Sequence, residues 1–307
     1  MRRLLFSRHF VNYTGGHGKV LDYIGHADAH PGWSAHVGVH PGSVREGNPF
    51  LDHPRSQIGR VAAQADDALL LAGADWEWAP PESDQRVVFN LVQGIRHADP
   101  AGALHAHLSR KAIRICVSHA VAEAIRATGV VRGPVHVIPP GLALPPTIAL
   151  AGTERRGVFI HGHKQPELGR ALADALRRDG WHVDLEQGLV DRPGFLARMA
   201  QAEIAIPLPL AEEGFFLPGL EAMAMGTLLV GVDAGGNRDY LRDGENAIVA
   251  SLEVDAIVRA MNELPGVEQR QAMVRAGLET AARFTLERER RAFHRLLDDV
   301  EPQWASA

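Results

Sequence analysis

Cysteine is nearly absent: Cys116 is the only one in 307 residues. No internal disulfide can form, which fits a reducing compartment. Its setting, IRICVS, is that of a small buried hydrophobe. No apolar run approaches the ~20 residues needed to cross a bilayer. The opening MRRLLFSRHF is broken by Arg8 and His9 too early for a signal-peptide core, so a first strand and a cytoplasmic location are expected. No basic stripe exists, which argues against nucleic acid as a partner. Repeats and low-complexity tracts are missing as well. Lysine is scarce, with only Lys19, Lys111 and Lys164 among 32 basic residues. Composition is otherwise that of a soluble globular chain, 46% hydrophobic and 22% charged. The net charge of −5 is uneven. Residues 1–150 carry 14 basic and 12 acidic side chains, whereas residues 151–307 carry 18 and 25. The length and this asymmetry suit two domains.

Short apolar runs alternate with helical periodicity along the whole chain. Strands are expected at 4–7, 36–40, 68–72, 87–92, 113–117 and 135–138. Ser118 and Gly129 start and stop a helix between the last two. IPPGLALPPTIALAGTERRG, rich in proline and glycine, reads as a linker. A second series follows, with strands at 158–160, 182–185, 204–206, 228–232 and 248–250. Its helices are expected at 167–178, 194–201, 218–225, 237–241 and 254–262, and the chain is helical from Val267 onward. Such alternation predicts two doubly wound Rossmann-like α/β domains with parallel sheets. The boundaries read as 1–145, 146–285, and a final helix over 286–307. Ligands of such sheets collect at the carboxyl ends of strands, so the loops after strands carry the information.

One such loop is AEEGFF, between the buried strand IAIPL and a helix with Pro218 at its first position. The spacing puts Glu213 in the loop and Glu221 in the first helical turn. A carboxylate accepts two hydroxyls of a vicinal diol, so two carboxylates at one opening suit two sugar rings. The helix N-terminus and the amides of Gly214 and Phe215 suit phosphate or hydroxyl oxygens. A nucleotide sugar offers that set of groups. The bland alternative is a helix-start acid and a solvated loop acid.

The stretch EGFFLPGLEAMAMGTLLVGVDAGGNRDYLRDGENAIV, 213–249, resembles the E-x(7)-E signature of group 1 glycosyltransferases, retaining enzymes of the GT-B fold. The usual form is close to EGFGLPxLEAMAxGxPVV…GGxxExxxDGxNGxLV. CVSHAVAEAIRATGV…VHVIPPGL is similar to the end of that family's first domain, and the helix after Thr285 to the one that crosses back onto it. The resemblance implies two domains facing across a cleft, with the donor nucleotide sugar on the second domain and the acceptor on the first. It implies that Glu221 binds the ribose diol and Glu213 the donor sugar, near the backbone of Gly214, Phe215 and Leu217. Two residues depart from the pattern: Phe216 stands where glycine is usual, and Asp239 where glutamate is common.

The resemblance further implies an Arg and a Lys on the donor diphosphate, in the loop after the second domain's first strand. That loop reads FIHGHKQPELGR. Lys164 fits the lysine; the arginine is missing, with His161 and His163 nearby and Arg170 more distant. NYTGGHGKV in the first domain resembles the family's glycine-rich loop, which places Gly15 and Gly16 near donor phosphate and Lys19 near anionic ligand. VVFNLVQGIRHADP puts Gln93 where the family commonly has a histidine facing the donor sugar, with His97 four residues on. Gln93, His97 and Lys19 are thus acceptor-side candidates, and Lys164, Glu213 and His97 the catalytic ones. Trp76 and Trp78 fit either acceptor stacking or core packing. His26 and His30 have a ligand-like spacing, but no Cys or carboxylate completes a set, and family members act without metal. No metal and no cofactor are therefore expected. The expected partners are a nucleotide sugar and a carbohydrate or glycoconjugate acceptor, glycan, lipid-linked or small. Peripheral membrane contact stays open. A sugar-phosphate enzyme such as a GT-B-like phosphorylase, or a non-catalytic nucleotide- or sugar-binding protein, is the alternative.

Overall fold

The computed structural model describes residues 1–80, 85–144, 155–188, 191–305 and 307. The expected boundary at 145/146, and half of the proline-rich linker around it, lie outside the described residues. The chain forms two compact units: Met1–Pro140 with Leu286–Ala307, and Gly141–Thr285. Among the described residues no helix is long and apolar enough to cross a membrane.

Unit 1 runs β1 (Arg2–Arg8), α1 (Gly15–Asp28), β2 (Trp33–Val39), β3 (Ser56–Ile58), β4 (Ala68–Ala72), β5 (Val88–Val92), β6 (Ile113–Cys116), α2 (His119–Ala127) and β7 (Val135–Val137). The strands form one sheet in the order β3-β2-β1-β4-β5-β6-β7, and every pairing is parallel. The central strands are buried on both faces, which is why they read as unbroken apolar runs. β3 has no such run. Its three residues, Ser-Gln-Ile, are held at the sheet edge by pairing to β2 rather than by burial, so no periodicity announces it.

Unit 2 runs β8 (Val158–His161), α3 (Pro166–Arg178), β9 (Val183–Glu186), α4 (Arg192–Gln201), β10 (Ile204–Pro207), α5 (Leu217–Ala224), β11 (Leu228–Val232), β12 (Ile248–Ala250), α6 (Val254–Asn262) and α7 (Val267–Ala281). Its parallel sheet has the order β12-β11-β10-β8-β9. Val158, Ile160, Ile204, Ile206, Leu228 and Val230 pack its core against Leu172, Leu176 and Ile257 from the helices. The two doubly wound parallel sheets are those expected from the sequence. The segment expected as a helix at 237–241 is instead a single 3-10 turn, Gly236–Asp239, closed by Asn237 capping the Ala234 amide.

Helices α8 (Leu286–Asp298) and α9 (Val300–Ala305) complete unit 1. α8 lies on α1, with Phe293 edge-on to Tyr23 at 4.8 Å and the His294 imidazole bonded to the His26 carbonyl at 2.7 Å.

Candidate active site

The loop from β10 into α5 is shaped by close backbone approaches. A Cβ on Gly236 would sit 2.0 Å from the Gly214 carbonyl oxygen, so only glycine allows the 235–236 turn to lie against the signature loop. Glu213 bridges to Gly235 in a parallel β-contact, and the Gly236 amide donates to the Glu213 carbonyl at 3.2 Å. Phe216 precedes the helix at φ 58°, ψ 68°. It is the one non-glycine residue with positive φ among the described residues, at the position where the resemblance leads one to expect glycine. A left-handed aromatic residue costs about 1–2 kcal/mol. Its ring is buried, and its carbonyl accepts the Tyr240 hydroxyl at 2.6 Å, which together hold it there.

Both signature acids are paired with a cation. Glu213 Oε1 takes the Leu210 amide at 3.0 Å and the Lys164 ammonium at 2.6 Å. Glu221 is 2% exposed, and its Oε1 lies 2.6 Å from Arg192 Nη1. Tyr240 feels both carboxylates: burial first, then the charges of Glu221 and Glu213, push its phenol well above the usual range. One expectation is corrected. α5 begins at Leu217, with Pro218 in its first turn, so Glu221 is the fifth helical residue and no acid lies in the first turn. Packing beside Tyr240 and Arg192, rather than the helix dipole, sets its environment.

Lys164 comes from the loop after β8, whose tight entry into α3 depends on Gly162 lying against Gly169. Its ammonium is half-exposed and also faces the Phe216 ring at 5.7 Å. His161, the last residue of β8, bonds through Nδ1 to the buried carboxylate of Glu186 at 2.5 Å. Burial lowers the His161 pKa, the Glu186 bond and charge oppose this, and His163 and Lys164 add to the lowering. Arg170 pairs with Glu167 on its own helix and with Gln187. The arginine that reaches the signature is Arg192, the first residue of α4. Nothing in GLVDRPGF marks it except an arginine beside a proline at a helix start.

In unit 1, Gly15 and Gly16 form the first turn of α1, where Thr14 caps the His17 amide at 3.3 Å. Gln93, just beyond β5, donates to the Gly16 carbonyl at 3.3 Å and so braces that loop. His97, expected near the sugar, is 3% exposed, and burial beside Arg96 and Arg114 lowers its pKa to about 4. It is a neutral core histidine in this structure. Lys19, expected to meet an anionic ligand, lies inside α1 with its ammonium 2.6 Å from Asp22 and 3.0 Å from Glu289 of α8. Its charge is engaged within unit 1 because α8 covers that face of α1. His26 and His30 likewise face acids of α8, Glu289 at 3.4 Å and Asp298 at 3.0 Å. Trp76 is buried and stacks on His107, whereas Trp78 lies edge-on to His40.

Residues 147–265 match the family model described as Glycosyl transferases group 1. No curated protein matches the chain in sequence. Among solved structures, sucrose-phosphate synthase from Thermosynechococcus elongatus is similar at 14% identity over 98% of this chain and 99% of that one, with a TM-score of 0.72. HepE from Anabaena in complex with UDP-glucose is similar at 15% identity over 97% and 100%, with a TM-score of 0.69. A glycosyltransferase from Rickettsia africae is similar at 12% identity over 97% and 98%, with a TM-score of 0.68. The chain therefore has the GT-B fold, and over residues 147–265 it bears the group 1 glycosyltransferase pattern read from its signature.

Proposed function

We propose that this chain is a retaining glycosyltransferase that moves a sugar from a nucleoside-diphosphate sugar to an acceptor hydroxyl. The observation that carries this reading is the pairing of both signature acids with cations around one helix entrance: Glu213 with Lys164 and Glu221 with Arg192. Each acid keeps acceptor capacity for sugar hydroxyls, and each brings a positive charge suited to phosphate. HepE, similar in fold, was solved with UDP-glucose, which supports a nucleotide-sugar donor.

In this reading Glu221 accepts the ribose diol. Glu213 accepts hydroxyls of the transferred sugar, flanked by the main chain of Gly214, Phe215 and Leu217. The bond between the anomeric carbon and the diphosphate oxygen breaks, and its electron pair stays on that oxygen. Lys164 and main-chain amides stabilise the charge as it develops, so the reading assigns no metal or cofactor. His161 opens the loop that carries Lys164, with Nδ1 held by Glu186. The acceptor oxygen attacks the face the diphosphate leaves and gives its proton to the departing phosphate, which retains the anomeric configuration. Gln93 braces the Gly16 carbonyl and keeps its own amide oxygen for an acceptor hydroxyl; the reading gives buried His97 no contact with the sugar.

A thermal-shift series with UDP, GDP, dTDP, ADP and their sugars tests the reading. A nucleotide at 100 times its Kd adds about 2.7 kcal/mol of stability. One of the four should raise Tm clearly; no shift with any of them at millimolar concentration contradicts the reading.

A further inference from the structure

Glu221 can bind a diol only through its oxygens, and in this structure one of them, Oε1, is 2.6 Å from a guanidinium nitrogen of Arg192. The acid is deep and fixed on α5. The arginine is its exposed opposite, a long side chain 40% accessible, whose other terminal nitrogen donates to the Ala143 carbonyl at 3.3 Å. A ribose that takes Glu221 replaces a cation with two neutral hydroxyls. The displaced guanidinium would lose its counter-charge unless an anion arrived with the ribose. A nucleoside diphosphate brings that anion on the same ring, through the 5′-oxygen. The loop after β8 supplies Lys164 but no arginine, so one cation for the diphosphate is missing from its expected place.

We infer that Arg192 is a diphosphate-binding residue of this site: it is held on Glu221 in the structure described here and passes to the phosphates when the ribose occupies that acid. The inference rests on the proposed nucleotide-sugar reading and adds to it a residue from a different loop. Lys164 behaves in parallel, docked on Glu213 before phosphate and a sugar divide the pair between them. Arginine suits the exchange because its guanidinium, here in a one-point ion pair with the carboxylate, stays charged and can take a phosphate with two parallel N–H groups. A purely structural Arg192 would only position Glu221, and a purely obstructive one would only compete with the ribose.

Titration of each nucleoside against its diphosphate separates these roles. The wild type, Arg192→Ala and Arg192→Lys are titrated calorimetrically with UDP, GDP and ADP, whose ribose carries the vicinal diol, and with uridine, guanosine and adenosine by competition. For the diphosphate that binds the wild type best, Arg192→Ala should weaken affinity tenfold or more. The matching nucleoside should bind as well as before or better, since Glu221 has lost a competitor. Arg192→Lys should lose less diphosphate affinity than the alanine variant, and it serves alone if melting curves show that the alanine variant does not fold. Equal losses for nucleoside and diphosphate would make Arg192 a support for Glu221 and overturn the inference. Unchanged affinity for both would make the pair incidental and overturn it equally. Failure of every diphosphate to bind the wild type would instead strike the nucleotide-sugar reading itself.

Discussion

At the scale of single residues, Phe216 is the most unusual. It occupies a left-handed backbone where glycine is natural, yet its ring is buried under the signature loop. Two opposing terms follow. Truncating a buried Phe costs about 3–5 kcal/mol, while removing the Cβ from a left-handed residue returns about 1–2 kcal/mol. Phe216→Gly should therefore be more stable than Phe216→Ala by about 1 kcal/mol, the reverse of the order seen at ordinary positions. Urea unfolding of the two variants checks this; an alanine variant equal to or above the glycine variant would show that the backbone relaxes. The sequence reveals Phe216 as a departure from the glycine pattern, but not that Tyr240 holds its carbonyl. The partner is 24 residues away and the contact exists only once β10 and β11 are paired and the Gly236 turn has closed.

At the scale of elements, local pattern and tertiary placement part company. Buried parallel strands announce themselves as apolar runs, and Pro218 and Ser118 mark helix starts that the structure repeats to within a residue or two. What a helix does with its polar residues depends on what covers it. Lys19 reads as a loop cation next to a glycine-rich turn, but α1 extends through it and α8 lies against that face. A buried charge is then bound to buried Glu289 and half-buried Asp22, and removing it costs about 3–5 kcal/mol. Lys19→Met should thus lower stability by that order without changing nucleotide affinity. Denaturant midpoints and calorimetric titration read the two effects separately. A variant with native stability and weakened binding would return Lys19 to the ligand. Arg192 shows the converse. Its stretch carries no motif, and it reaches Glu221 only because α4 and α5 are successive crossovers around β10.

At the scale of the whole molecule, the fold class was plain in the alternation of strands and helices, and the candidate site was marked by the spacing of Glu213 and Glu221. The charge network around that site was not, since it is built by residues from three separate stretches of chain, the loop after β8, the start of α4 and the β10–α5 segment. The same holds for titration. Burial lowers His97 and His17 to about 4, with nearby arginines adding to it, whereas burial raises Asp75 to about 6 despite its pair with Arg8. Between pH 6.5 and 4 the unfolded chain binds the two histidine protons that the fold excludes, so stability present above pH 6.5 is lost as pH falls. Asp75 opposes this, because its folded form takes a proton first. With two histidines against one carboxyl, the balance of these three groups is a loss of stability toward acid pH. His97→Gln should flatten the loss of stability between pH 7 and 5 in urea titrations; an unchanged slope would mean that His97 titrates normally. The central claim, that the paired acids of unit 2 hold a nucleotide sugar, is tested most directly by titrating Glu221→Ala with the nucleoside diphosphate that binds the wild type best. Loss of a charged hydrogen-bond partner for the ribose should weaken binding by about 1.5–3 kcal/mol, roughly ten- to a hundredfold. Wild-type affinity in a folded Glu221→Ala variant would contradict the account.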